Sequence, residues 1–139
     1  MSETEQHVET RRWLRYARED LEAAEALMAQ RTFVPRHVCW LAQQAAEKAL
    51  KAVLVFLEID FPRRHDLDAL RNLAPAGWQV KEEHPDLAEL TEWAVEARYP
   101  GDWSDANEAD ARSAVEQARA VWESVYADFI RHGFRLERG

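Results

Sequence analysis

Apolar residues recur at three- and four-residue spacing along nearly the whole chain, and no Val/Ile/Thr-rich alternating run interrupts them. The pattern predicts helices throughout. A first helix from about Glu5 to Gln30 carries the stripe Trp13, Ala17, Leu21, Ala24 and Leu27/Met28. A second opens at Pro35, a favoured first-turn residue, and runs to about Ile59. A short third spans Asp66 to Leu73 with Leu67, Leu70 and Leu73 inward, followed by a loop from Ala74 to Pro85. A fourth runs from near Pro85 to about Arg98, where Tyr99-Pro100-Gly101 stops it. Ser104 or Asp105 caps a fifth, which continues through Ala111, Ala114/Val115, Ala118, Val121/Trp122, Val125 and Phe129 to about Arg131, with Gly133 as its stop. Four long helices with short connections make an all-α, up-and-down four-helix bundle with one additional short helix, a single domain over residues 1–139.

The second helix is unusual. In HVCWLAQQAAEKALKAVLVFLEID, residues 37–60, polar side chains keep to a narrow stripe that includes Gln44, Glu47, Lys48, Lys51 and Glu58, with Trp40 among them and Gln43 just outside. Ala42, Ala45, Ala49 and Ala52 form a ridge that lets another helix approach closely. Such a helix is central to its bundle. At four-residue spacing Lys48 and Lys51 pair with Gln44 and Glu47, or else the two lysines face a cleft. On the first helix Arg11, Arg15 and Arg18 line a separate face. It reads as solvated, with Arg15–Glu19 and Arg18–Glu22 pairs, or as an anion-binding ridge.

Composition narrows the function classes. No apolar run approaches the roughly 18 residues of a membrane span, and the acidic N-terminus lacks the apolar core of a secretory signal. The single cysteine, Cys39, forbids an intramolecular disulfide and suits a cytoplasmic setting; with five scattered histidines it gives no zinc spacing, and no cofactor motif is present. Residues 1–81 carry no net charge, residues 82–128 carry −10, and the last eleven add +2. A broad duplex-DNA surface is excluded by that balance, and any nucleotide or RNA must meet the N-terminal half or the edge near Arg98. Arg63, Arg64 and His65 form a basic cluster that contacts phosphate, or else His65 simply caps helix three. Arg98 and Tyr99 pair with and stack on a nucleotide, or else close helix four and pack. Of six tryptophans, Trp40, Trp78 and Trp103 fall outside core positions and are candidate interface anchors.

The string AQQAAEKALKA, residues 42–52, resembles the signature of HEPN domains (higher eukaryote and prokaryote nucleotide-binding). Trp13, Ala17 and Asp20-Leu21, then His65-Asp66-Leu67 with Leu70, then Ala97-Arg98-Tyr99-Pro100, are similar to the family's further motifs in the right order. The resemblance covers about residues 10 to 130. It implies an all-α homodimer, found beside a minimal nucleotidyltransferase or as half of a toxin–antitoxin pair, or acting as a metal-independent RNase. The family's RNases use an Arg followed after four to six residues by a His, the Arg steadying phosphate charge and the His moving protons. Here Trp103, Ser104 and Asp105 stand where that His belongs after Arg98. Arg31 and His37 match the spacing formally, but at the turn between helices one and two. The resemblance therefore implies a non-catalytic HEPN subunit working with a nucleotidyltransferase. An RNase built on Arg98, or on Arg31 with His37, and a ligand-free dimerisation module are the alternatives.

Overall fold

A computed structural model describes residues 4–63, 65–94 and 105–135. All regular structure among them is helical: α1 Glu5–Met28, α2 Pro35–Phe56, α3 Leu67–Leu73, α4 Gln79–Glu83, α5 Ala88–Thr91 and α6 Glu108–Arg131. The helical fold class expected from the periodicity is the one observed. Boundaries follow local chemistry. Thr4 Oγ1 accepts the His7 amide at 3.1 Å to open α1, and Asp66 accepts the Ala69 amide at 3.2 Å to open α3. α6 starts later than expected. Its cap is Asn107, in a reciprocal box with Asp110 (2.8 and 3.0 Å), rather than Ser104, which lies outside the described residues, or Asp105, which is not helical.

α2 ends at Phe56, three residues before the expected Ile59. Glu58 takes a left-handed conformation (φ 58°), and the Ile59 amide bonds back to the Leu54 carbonyl at 2.8 Å. Glu58 therefore leaves the polar stripe. At the end of α6, Gly133 (φ 73°) does the same work without the cost a side chain incurs at positive φ, and Phe134 N bonds to Phe129 O at 2.9 Å.

α2 is the central element. Its alanine ridge, with Ala46 added, is wholly buried, and α1 packs along it more extensively than any other pair of helices. α6 lies across α2 and antiparallel to α1: Arg11 reaches the Arg135 carbonyl at one end of the seam, and Arg119 meets Glu25 at the other. Trp13 and Trp122 are only partly buried against this core, whereas Leu14 and Thr10 are buried although the periodic stripe does not include them.

Residues 74–94 depart most from expectation. Within the expected loop, Gln79–Glu83 forms α4, held from outside its own sequence. Asp128, fully buried on α6, accepts the Gln79 and Val80 amides at 2.9 and 3.0 Å and also binds the Arg131 guanidinium. Trp78, expected as an exposed interface anchor, is 3 % exposed. It stacks on His132 at 4.3 Å and meets Phe56 and Phe129 edge-on. Leu73 moves the other way and is 38 % exposed, because α3 ends there. The expected fourth helix is shorter: α5 begins at Ala88, and after Thr91 the amides of Trp93 and Ala94 bond three residues back. Its expected end at Arg98 lies outside the described residues. Leu87, Leu90 and Ala94 are buried.

Candidate functional site

The polar residues of α2 converge on one buried carboxylate. Glu47, whose side chain is 6 % exposed, receives Gln43 Nε2 at 3.0 Å and Lys51 Nζ at 2.8 Å, and its Oε1 lies 2.7 Å from His65 Nδ1. Gln43 is completed by its neighbours: its Nε2 also reaches the His65 carbonyl at 3.3 Å, and its Oε1 accepts Gln44 Nε2 at 2.7 Å. Gln43, placed just outside the stripe by helical geometry, is thus fully buried and at the heart of the network. The Lys51–Glu47 pair expected from helical spacing is present. Lys48 instead crosses to α1 and meets Asp20 Oδ2 at 2.5 Å.

Burial pushes the Glu47 carboxyl up, but donation from Lys51, Gln43 and His65, with the Lys51 charge, outweighs it and leaves its pKa lowered. The group is ionised, and an ionised carboxylate only accepts, so His65 Nδ1 carries the proton. The His65 side chain is 41 % exposed. Lys51 Nζ also sits over the Trp13 and Phe61 rings at 5.7 and 5.6 Å, which further fixes it. The network can hold an imidazole in one tautomer at the surface, and it ties the α2–α3 connection to the central helix. Among the described residues, no group of three or more His, Cys, Asp or Glu side chains could hold a metal ion.

The remaining candidates separate. Arg31 and His37 are exposed at either end of the α1–α2 turn. Trp40 is 38 % exposed on α2. Arg15–Glu19 and Arg18–Glu22 stand at 3.8 and 3.2 Å on exposed side chains, the solvated arrangement for those two, whereas Arg11 is half-buried and donates to the Arg135 carbonyl. Arg64, Arg98, Tyr99 and Trp103 lie outside the described residues.

A second polar group is invisible in the sequence because its members are forty residues apart. Ser124 Oγ donates to Glu83 Oε2 at 3.0 Å and lies 2.9 Å from His84 Nε2. His84 and Glu83 thus share one hydroxyl, and the direction of the His84 contact follows the tautomer of the ring. Burial lowers the His84 pKa, with help from the Arg71 charge, against Glu83 and the Ala120 carbonyl. The fold thus prefers neutral His84. That contribution is complete above the ordinary histidine value of 6.5 and is lost as pH falls through the folded value below it. Urea midpoints should therefore drop between about pH 7.5 and 5.5, and drop less in His84→Gln. Parallel pH dependences in the two proteins would remove His84 as the cause.

No helix among the described residues is long and apolar enough to cross a membrane. Comparison with known proteins gives two concordant results. The chain is 31% identical over 141 residues to "Putative toxin MJ1304" of Methanocaldococcus jannaschii, covering 91% of each chain. No solved structure matches it. The HEPN domain family model matches residues 10–128, which takes in α2, the Glu47 network and all but the last turn of α6. The chain belongs to the HEPN domain family.

Proposed function

We propose that this chain is the non-catalytic HEPN subunit of a toxin–antitoxin-type pair. It acts in the cytoplasm as a homodimer and presents a nucleotide or RNA to a separately encoded minimal nucleotidyltransferase. One observation carries the reading. The chain matches a protein named as a putative toxin over 91% of both lengths, yet Trp103, Ser104 and Asp105 occupy the positions where the family's RNase histidine stands. None of those side chains can exchange protons as an imidazole does near neutral pH. Lys48, Lys51, Arg64, His65, Arg98 and Tyr99 are the residues proposed to meet the nucleotide or RNA. For the two lysines the ion pairs with Asp20 and Glu47 mean that a phosphate has to compete with a carboxylate already in place.

The test is co-expression with the products of the reading frames beside this chain's gene, among which the reading requires a minimal nucleotidyltransferase. Co-elution at fixed stoichiometry is expected, together with no cleavage of a single-stranded RNA in the presence of a chelator. Absence of a complex would sink the subunit reading. Chelator-resistant cleavage that disappears in Arg98→Ala or His37→Ala would replace it with an RNase on a non-standard site. Light scattering checks the dimer, and a mass near the 16.2 kDa of one chain would exclude it.

A further inference from the structure

The α1–α2 turn and the flank of α6 enclose a groove that the reading above does not use. Its volume is about 250 Å³, and Met28, Phe33, Val115, Arg112, Glu116 and Arg119 line it. The floor is apolar and the rim is charged. On the rim, Arg119 is tied to Glu25, while Arg112 is joined to Glu108 only at 3.5 Å, between side chains 65 % and 66 % exposed. A pair so exposed holds its arginine weakly.

The surface beside the groove is basic and partly apolar. Between Glu25 and Glu47 the sequence has no carboxylate, and Arg31, Arg36 and His37 are exposed within that stretch. Arg31 and Arg36 make no ion pair among the described residues. Val34 stands between them, 46 % exposed, directly after Phe33 of the groove floor, and Trp40 is exposed one turn beyond Arg36. In a chain of net charge −8 this end is a local positive exception.

We infer that this end of the bundle is a docking site for an acidic polypeptide segment of a partner protein, with an apolar side chain set in the groove and flanking carboxylates on Arg31, Arg36 and Arg112. An apolar anchor gains by leaving water against Met28, Phe33 and Val115. Carboxylates gain from Arg31 and Arg36, which make no ion pair among the described residues, and from Arg112, held only by the exposed Glu108, and the same charges are repelled by the acidic remainder of the chain, which fixes orientation. Arginine and tryptophan are among the residue types that anchor protein interfaces. A single-stranded RNA would find the arginines and the Phe33 and Trp40 rings, but a phosphate on every nucleotide would meet the net negative charge, whereas a peptide brings only a few carboxylates. The inference names a surface and its chemistry, and does not depend on the partner being a nucleotidyltransferase.

A peptide library selected on the full chain tests it. Selected peptides should share an apolar anchor flanked by Asp or Glu, and their affinity, read by fluorescence anisotropy, should weaken with added salt. Affinity should fall about tenfold or more in Val34→Glu and in the double variant Arg31→Glu with Arg36→Glu. All three side chains are exposed, so circular dichroism should show both variants folded. Selection without that consensus, or affinities unchanged in either variant, overturns the inference. Binding of an oligouridylate that the arginine variant abolishes and Val34→Glu leaves intact also overturns it, in favour of RNA.

Discussion

Alanine at position 47 is expected to lower the unfolding free energy by about 3–5 kcal/mol, the cost of breaking a buried pair by removing one partner. Glu47 and Lys51 side chains are 6 % and 12 % exposed, so water can repair little of the loss. Lys51 would keep its charge over Trp13 and Phe61 without a counter-ion, and Gln43 and His65 would each lose an acceptor. Glu47→Gln should cost less, because an amide oxygen still accepts. Its NH₂, however, must face a donor where the carboxylate had two accepting oxygens. Urea titration of the three proteins at neutral pH measures both effects. A loss below about 1 kcal/mol for Glu47→Ala would place the pair among water-screened surface bridges. The acid side follows with the same sign. Glu47 has its folded pKa below the ordinary 4.5, so its contribution is complete above that value and is lost as pH falls through the folded one.

Asp128→Ala should be nearly as damaging, by about 3 kcal/mol, and in a different place. The carboxylate is fully buried and accepts two consecutive backbone amides, of Gln79 and Val80. Alanine leaves both donors without a partner in a region where Val80 itself is buried. α4 has no side-chain cap of its own, so its first turn depends on α6. Hydrogen exchange should therefore show lost protection at the Gln79 and Val80 amides beyond that of the chain as a whole. Uniform loss across α1, α2 and α6 would mean that Asp128 supports the fold in general rather than this joint. Asp128→Asn should recover part of the effect, since the amide retains one accepting oxygen.

These two residues mark what the sequence made legible. Long amphipathic helices announce themselves: α1, α2 and α6 follow from the three- and four-residue spacing of Ala17, Leu21 and Ala24, of the alanine ridge, and of Ala118, Val121 and Val125. α4 does not, because its cap is 48 residues away at Asp128. Trp78 reads as exposed for the same reason: a loop has no periodicity from which to read a face. Its burial depends on Phe56, Phe129 and His132 arriving from two other helices. In the site, Lys51–Glu47 is a contact within one helix and can be read, whereas Lys48–Asp20 and His65–Glu47 join separate elements. Gln43 falls outside the stripe on a helical wheel because an angle does not say where the α2–α3 connection returns.

The spacing of the three long helices along the chain has an entropic consequence. Six residues, 29–34, join α1 to α2, whereas fifty-one, 57–107, separate α2 from α6. For flexible connections the longer closure costs about 2 kcal/mol more, since the penalty grows only logarithmically with length. Between residues 65 and 91 the intervening chain is tied down at several points. His65 is tied to Glu47 and the Leu67 amide to Thr91 Oγ1, while Leu87 N bonds to Asp68 and the α4 amides to Asp128. The first three of these need nothing from α6, and each divides one long closure into shorter ones. Polar contacts that look incidental to the core thus bear on the order of assembly: formed before α6 docks, they shorten the free chain that has to close to bring it onto α2.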